Sequence, residues 1–164
     1  MAGASGVIAV SVGSVGPVQP QWLCASASLL ERGLAVSFDL LYYRRPAHGF
    51  ALRIDGQVVA YVNQCAHVPV QMQWQEGQFL DHDRRWIICA MHGATYDPGS
   101  GHCVAGPCAG ARLRSVALEE RDGQVYWYPS AAIRPALPRA MPSAMTTPAT
   151  AAPSTPATST RALR

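Results

Sequence analysis

Apolar and polar positions alternate in short runs over the first 130 residues, and no long stretch shows the 3.6-residue spacing of an amphipathic helix. The first run is Leu34 to Tyr42. Phe50 to Ile54 and Val58 to Val62 follow, separated by Asp55-Gly56, and Asp-Gly between alternating hydrophobics is the strong short-range signal for a two-residue hairpin turn. Trp86 to Ile88, Leu113 to Leu118 and Val125 to Tyr128 complete the set, the last two meeting around Asp122-Gly123. Short strands with turn signals at close spacing predict an antiparallel all-β domain. Ser26 to Gly33 fits either one turn of helix or a loop.

Between the hairpins the pattern changes. Residues 63 to 111 are rich in Cys, His, Gly and Pro, which reads as an insertion built around a site. The predicted architecture is a β base from residues 34–62 and 112–128, with residues 63–111 forming a smaller lobe at one end. The domain is expected to span 22–130, after a flexible N-terminal segment, 1–21. Residues 131–164 are mostly Ala, Pro, Thr and Ser, with four arginines and no acid. Such a stretch has too little apolar surface to offset the entropy of ordering it, so it is predicted to be a disordered tail whose removal spares the site. A length of 164 residues allows one domain with its own core and is short for two.

The formal charge of +3 is unevenly placed. Residues 1–130 carry nine arginines against ten acids, so the folded part is near neutral and the tail is basic. Arg44, Arg45, Arg84, Arg85, Arg112 and Arg114 are scattered rather than gathered into a stripe, which argues against nucleic-acid binding. The Arg44/Arg45 and Arg84/Arg85 pairs read as solvated turn residues, with a docking patch for an acidic redox partner as the sharper reading. The first twenty residues are small and apolar but lack a positive start and are broken by Gly and Pro, so neither a signal peptide nor a membrane anchor is expected. Five cysteines do not make a disulfide framework, and a cytoplasmic protein is the default.

The chemistry lies in two segments, Asn63-Gln64-Cys65-Ala66-His67 and Cys89-Ala90-Met91-His92-Gly93. They form the pattern C-x-H, 21 intervening residues, then C-x-x-H. Each pair can ligate from one tight loop, giving two fingers with one thiolate and one imidazole apiece. Four such residues could also bind zinc, although zinc fingers usually pair Cys with Cys and His with His along the chain.

Together with their surroundings these segments resemble the Rieske iron-sulfur family. His92-Gly93-Ala94-Thr95-Tyr96-Asp97 resembles the family's stretch after the second finger, and Gly106-Pro107-Cys108-Ala109-Gly110 its proline loop, which covers the cluster. The likeness spans about residues 34–128. It implies one 2Fe-2S cluster, with Cys65 and Cys89 on the inner iron and His67 and His92 on the outer one. Two neutral imidazoles in place of two thiolates make such a cluster easier to reduce, at about −150 to +300 mV against about −400 mV for plant-type ferredoxins. High-potential members carry a serine where this chain has Ala94, and share the tyrosine at Tyr96. The missing hydroxyl implies a potential in the lower half of that range. Those members also join their fingers by a disulfide, at positions that correspond to Val70 and Met91 here.

Other residues invite plainer readings. Cys103 and Cys108, five apart, could form a disulfide or ligate something, with two buried or half-buried thiols the commoner outcome, and Cys24 is expected to be a core or near-core residue. His48, His82 and His102 stand beside turns, and Trp86 and Trp127 are expected in the core. Met91, between two candidate ligands, could pack on the cluster and exclude water. The resemblance implies a soluble one-electron carrier, a component rather than a self-contained enzyme, with a flavoprotein reductase on one side and a terminal oxygenase or reductase on the other. The competing classes are a small subunit of a multi-subunit oxidoreductase, such as a nitrite reductase partner, and a structural metal-binding module.

Overall fold

The computed structural model describes residues 19–136, so most of the segment expected to be flexible at the N-terminus, and residues 137–164 of the expected tail, lie outside it. The described chain is all-β. Its strands are β1 (Gln21–Ala25), β2 (Val36–Tyr42), β3 (Arg45–Ile54), β4 (Gln57–Val62), β5 (Ile87–Ile88), β6 (Thr95–Tyr96), β7 (Cys103–Ala105), β8 (Ala117–Arg121), β9 (Gln124–Tyr128) and β10 (Ile133–Pro135). Ser26–Ser28 makes one turn of 3-10 helix and the rest of 26–33 is loop, which settles the two readings left open there.

Three antiparallel sheets result. β1-β9-β8 and β10-β2-β3-β4 form the base, and β5-β6-β7 belongs to the lobe inserted between β4 and β8. The two predicted Asp-Gly turns are present, with φ of +50° and +78° at Asp55 and Gly56 and +51° and +70° at Asp122 and Gly123. That pair of positive angles gives a turn whose twist matches that of the flanking strands. The β2–β3 hairpin makes the same kind of turn with Tyr43 and Arg44, at +48° and +64°. Arg44 is therefore a turn residue as expected, while Arg45 already opens β3.

β3 runs well beyond the predicted Phe50 to Ile54 because Gly49 hides its continuation in the sequence. A Cβ there would stand 2.4 Å from the ring of Phe38, its register partner on β2. Glycine inside a strand often marks such a close approach. β8 lies further along than the predicted Leu113 to Leu118, since Leu113 and Val116 are buried from a loop that bonds to the lobe and to β4 in turn. Leu113 N–H donates to Gly101 O, and Val116 N–H to Ala60 O, both at 2.9 Å.

Two cores fill the domain. One lies in the base and includes Leu40, Val62, Val125 and Trp127; Cys24 is buried there as expected. The other joins base to lobe, and at its centre the rings of Phe50 and Phe79 stack 3.7 Å apart, nearly parallel. Such a pair adds about 0.5–1.5 kcal/mol to the burial of the two rings. Trp86 is half-buried beside β5 rather than a core residue. Arg53, on β3, ties down the 26–33 loop by donating to Leu29 O and Ser26 Oγ while paired with Glu120 at 2.8 Å.

The tail does not begin at 131. Ile133, Arg134 and Pro135 pair with Tyr42, Leu41 and Leu40, and Ile133 is only 3% exposed. A chain ended at Ser130 therefore loses a strand and uncovers Leu40, costing about 2–3 kcal/mol and about 10 °C in thermal midpoint. A chain ended at Ala136 is expected to melt within about 2 °C of the full-length protein. Thermal unfolding followed by circular dichroism on both truncations checks this.

Candidate metal centre

β4 delivers the first finger. Immediately after it, Asn63 is buried and fully used: its N–H donates to His48 O, its Nδ2 to Gln73 Oε1 at 2.7 Å, and its Oδ1 accepts from Met72 N–H at 2.9 Å. One amide side chain thus staples residues 63 and 72–73 together. Inside that staple, Cys65 N–H donates to Val70 O at 3.0 Å. The second finger leaves β5 and is closed by Cys89 N–H to Ala94 O at 2.8 Å and Gly93 N–H to Cys89 O at 2.9 Å. The fingers are laced to each other, because Ala90 N–H donates to Met72 O and Trp74 Nε1 donates to Ala90 O at 3.1 Å. These bonds hold the two fingers to each other.

At the finger tips the four candidate ligands fall into two pairs. Cys65 and Cys89 are buried, 4% and 0% exposed. His67 and His92 are exposed, with ring centres 5.2 Å apart and planes at 87°. Burial pushes the Cys65 thiol up, but the Tyr96 hydroxyl and the backbone N–H groups of His67 and Val68 outweigh it and leave the thiol below its usual range. For Cys89, burial wins and the thiol is raised, against the N–H groups of Met91 and His92. Both sulfurs therefore sit among donors already aimed at a negative charge. Among the described residues, no three His, Cys, Asp or Glu side chains converge as ligands of a single ion. Two thiols and two imidazoles at neighbouring finger tips are donor types that both iron-sulfur and zinc centres take.

Tyr96, fully buried on β6, is the hub behind the pairs. Its hydroxyl lies 3.1 Å from Cys65 Sγ, accepts from Ala66 N–H at 3.0 Å, and stands 3.2 Å from Cys108 Sγ. Burial drives its hydroxyl pKa far up, so it stays protonated and able to donate. Ala94 is also fully buried and brings no side-chain donor to the site. The loop of Gly106 and Pro107 lies directly against the second finger. A Cβ at Gly106 would stand 2.9 Å from Ala94 Cα, and its φ of +91° suits glycine alone. Cys108 is buried beneath that loop, and burial raises its thiol to about 11.

Three large apolar side chains are exposed on the fingers, Val68, Trp74 at 76% and Met91 at 47%, so Met91 lines the tip more than it seals it. Neither finger carries a charged residue between 63 and 75 or between 87 and 96, histidines aside. His82 is exposed in the lobe, whereas His48 sits within β3 beside Asp39 and His102 contacts Arg112. Sequence reasoning placed Cys65, His67, Cys89, His92, Ala94, Tyr96, Gly106, Pro107, Cys108 and Met91 around one site, and the structure brings them together. It missed Asn63, whose signal was a polar residue directly after a buried strand. It also missed Trp74, which has no local signal.

The chain resembles several solved structures in fold. The ferredoxin of carbazole 1,9a-dioxygenase from Nocardioides aromaticivorans IC177 superimposes with a TM-score of 0.53 at 18% identity, covering 68% of this chain and 98% of that one. A fluorene-bound complex of the oxygenase and ferredoxin of carbazole 1,9a-dioxygenase, with one oxygenase phenylalanine replaced by tryptophan, gives 0.54 at 22% identity, covering 68% and 29%. The terminal oxygenase of carbazole 1,9a-dioxygenase from Novosphingobium sp. KA1 gives 0.51 at 21%, covering 68% and 30%. The chain thus spans nearly all of the ferredoxin but under a third of the other two matched chains. No curated protein matches. Residues 21–129 match the Rieske [2Fe-2S] domain, and with this stretch covering most of its length the chain belongs to that family.

Proposed function

We propose that this protein is a one-electron carrier, that Cys65 and Cys89 hold the inner iron and His67 and His92 the outer iron of one Rieske-type 2Fe-2S cluster, and that its partner is a terminal oxygenase fed through a flavoprotein reductase. The observation that carries the reading is the pairing at the finger tips, with both thiols buried under N–H and O–H donors and both imidazoles at the surface. When bound, the cluster supplies reversible uptake of one electron at constant ligation. The chain does the rest. The amides at 67, 68, 91 and 92, with Tyr96 O–H, stabilise added negative charge on the sulfurs. His67 and His92 set the shortest path to a docked protein, and the exposed, uncharged Val68, Trp74 and Met91 on the fingers let that protein approach without desolvating a charge.

The partner is supported by the ferredoxin and oxygenase structures that share this fold. A cytoplasmic setting is supported by five cysteines present as free thiols, two of which must remain thiolates for a metal. Among the described residues no helix is long and apolar enough to cross a membrane.

Absorbance and EPR spectra of the purified protein, as isolated and after dithionite, test the proposal. The expected result is a red-brown protein whose reduced form gives an EPR signal with average g below the free-electron value. A colourless protein that stays EPR-silent after anaerobic iron-sulfur reconstitution, with zinc found by metal analysis, would sink it.

A further inference from the structure

Cys103 and Cys108 are buried thiols, as expected, and they do something that their spacing alone does not reveal. Their sulfurs stand 2.6 Å apart, Cys103 on β7 and Cys108 under the loop that covers the second finger. That separation is well inside the roughly 3.5 Å preferred by non-bonded heavy atoms. It is about half an ångström more than an S–S bond of about 2.05 Å. The backbone holds the two cysteines there. Cys103 N–H donates to Ala111 O at 2.8 Å and Ala111 N–H to Cys108 O at 2.9 Å, while Gly106 and Gly110 supply the positive φ that folds the loop back.

The pair also touches the candidate metal centre through one atom. Tyr96 Oη accepts from Ala66 N–H and stands within hydrogen-bond reach of Cys65 Sγ, and the single Cys108 S–H proton faces two acceptors, Tyr96 Oη and Cys103 Sγ. Cys103 S–H donates to Ala105 O. A thiol has one proton, so Cys108 can support Tyr96 only while it is a thiol.

We infer that Cys103 and Cys108 form a reversible dithiol/disulfide pair that tunes the metal centre through Tyr96. The step is an exchange with a small-molecule disulfide: two protein S–H bonds and the oxidant's S–S bond break, one protein S–S bond and two oxidant S–H bonds form. The protein sulfurs are oxidised by two electrons, and those electrons with two protons leave on the two small thiols. Neither state of the pair carries a charge, so its effect reaches Cys65 through hydrogen bonding. Losing the Cys108 donor weakens the polarisation of the Tyr96 O–H and hence its bond to Cys65 Sγ. The disulfide form is therefore the one with the lower reduction potential. This last consequence rests on the cluster assignment above; the disulfide itself does not.

The test equilibrates the holoprotein anaerobically in dithiothreitol redox buffers of graded ratio, followed by acid quench, alkylation and peptide mapping. The tryptic fragment from Trp86 to Arg112 holds Cys89, Cys103 and Cys108, and it is expected to carry one alkyl group, on Cys89, and a bond between 103 and 108 in oxidising buffer, and three alkyl groups in reducing buffer. Voltammetry of the two forms should then show the potential lower after oxidation, and Cys103→Ser should keep the dithiol value in every buffer. Both thiols remaining alkylatable throughout, or bonding to Cys24 instead, would overturn the pair. A mapped bond with no change in potential would overturn the coupling through Tyr96, as would an oxidation-dependent shift that survives in Cys103→Ser. A protein without a cluster would defeat the functional reading while the peptide map still reports on the pair.

Discussion

Cys89→Ser is expected to yield a colourless protein that retains less than a tenth of the wild-type iron and melts at least about 10 °C lower than the loaded wild type. Cys89 is fully buried and lies beside Cys65, with the N–H groups of Met91 and His92 aimed at its sulfur. A serine oxygen in that nest is a harder ligand with a far higher pKa than a thiol, and the shortened side chain no longer reaches where the sulfur did. The lost stability follows from linkage, since a group that binds only the folded chain adds its binding free energy to folding. Without it the fingers keep the Asn63 staple and the Met72 to Ala90 bond but lose their strongest tie. Gln57→Ala, an exposed change at the end of β4 away from the first finger, is the control and should leave colour, iron and melting unchanged. Iron analysis, visible absorbance and thermal unfolding decide it, and a Cys89→Ser protein with a full cluster would remove Cys89 from the ligand set.

Tyr96→Phe should leave the cluster in place and lower its reduction potential by about 30–70 mV. A hydrogen bond to a charged group is worth about 1.5–3 kcal/mol. For a one-electron couple, about 59 mV corresponds to a tenfold change in equilibrium constant. If roughly half of the bond's strength is gained on reduction, when the sulfur becomes more negative, that interval follows. Removing the oxygen also strands the Ala66 N–H and the Cys108 S–H, which now face an aromatic edge. A modest fall in melting temperature, about 1–2 kcal/mol in stability, is therefore expected alongside the shift. Protein-film voltammetry measures the first and calorimetry the second. An unchanged potential in an intact cluster would show that the Tyr96 bond is equally strong in both oxidation states.

The site was more legible than the scaffold, and the reason is locality. Cys65 and His67, or Cys89 and His92, announce themselves within four residues, and the proline loop and the Tyr96 stretch keep fixed distances from them. The strands that failed to show were those whose pairing is remote. β1 places only Leu23 and Cys24 in the core, and a register shift between Trp22 and Cys24 breaks the alternation that would have betrayed it. β10 is Ile133 set among alanine and proline, intelligible only once Leu40 and Tyr42 are seen to need a neighbour. Burial of Cys103 and Cys108 could be read from their type, and their spacing left a disulfide open as the lesser alternative without showing that the sulfurs meet. Their spacing says nothing about a loop turned back by Gly106 and Gly110 until the backbone bonds to Ala111 are traced.

The sheet order also fixes a sequence of events during synthesis. β1 emerges from the ribosome about a hundred residues ahead of β9, the strand it pairs with, which at about 5–20 residues per second is a wait of roughly 5–20 s. β2 likewise waits for β10. The β5-β6-β7 sheet draws only on residues 87 to 105, and such local contacts close far sooner than remote ones. The finger loops are thus complete on the nascent chain while the base that will bury their flanks is still open.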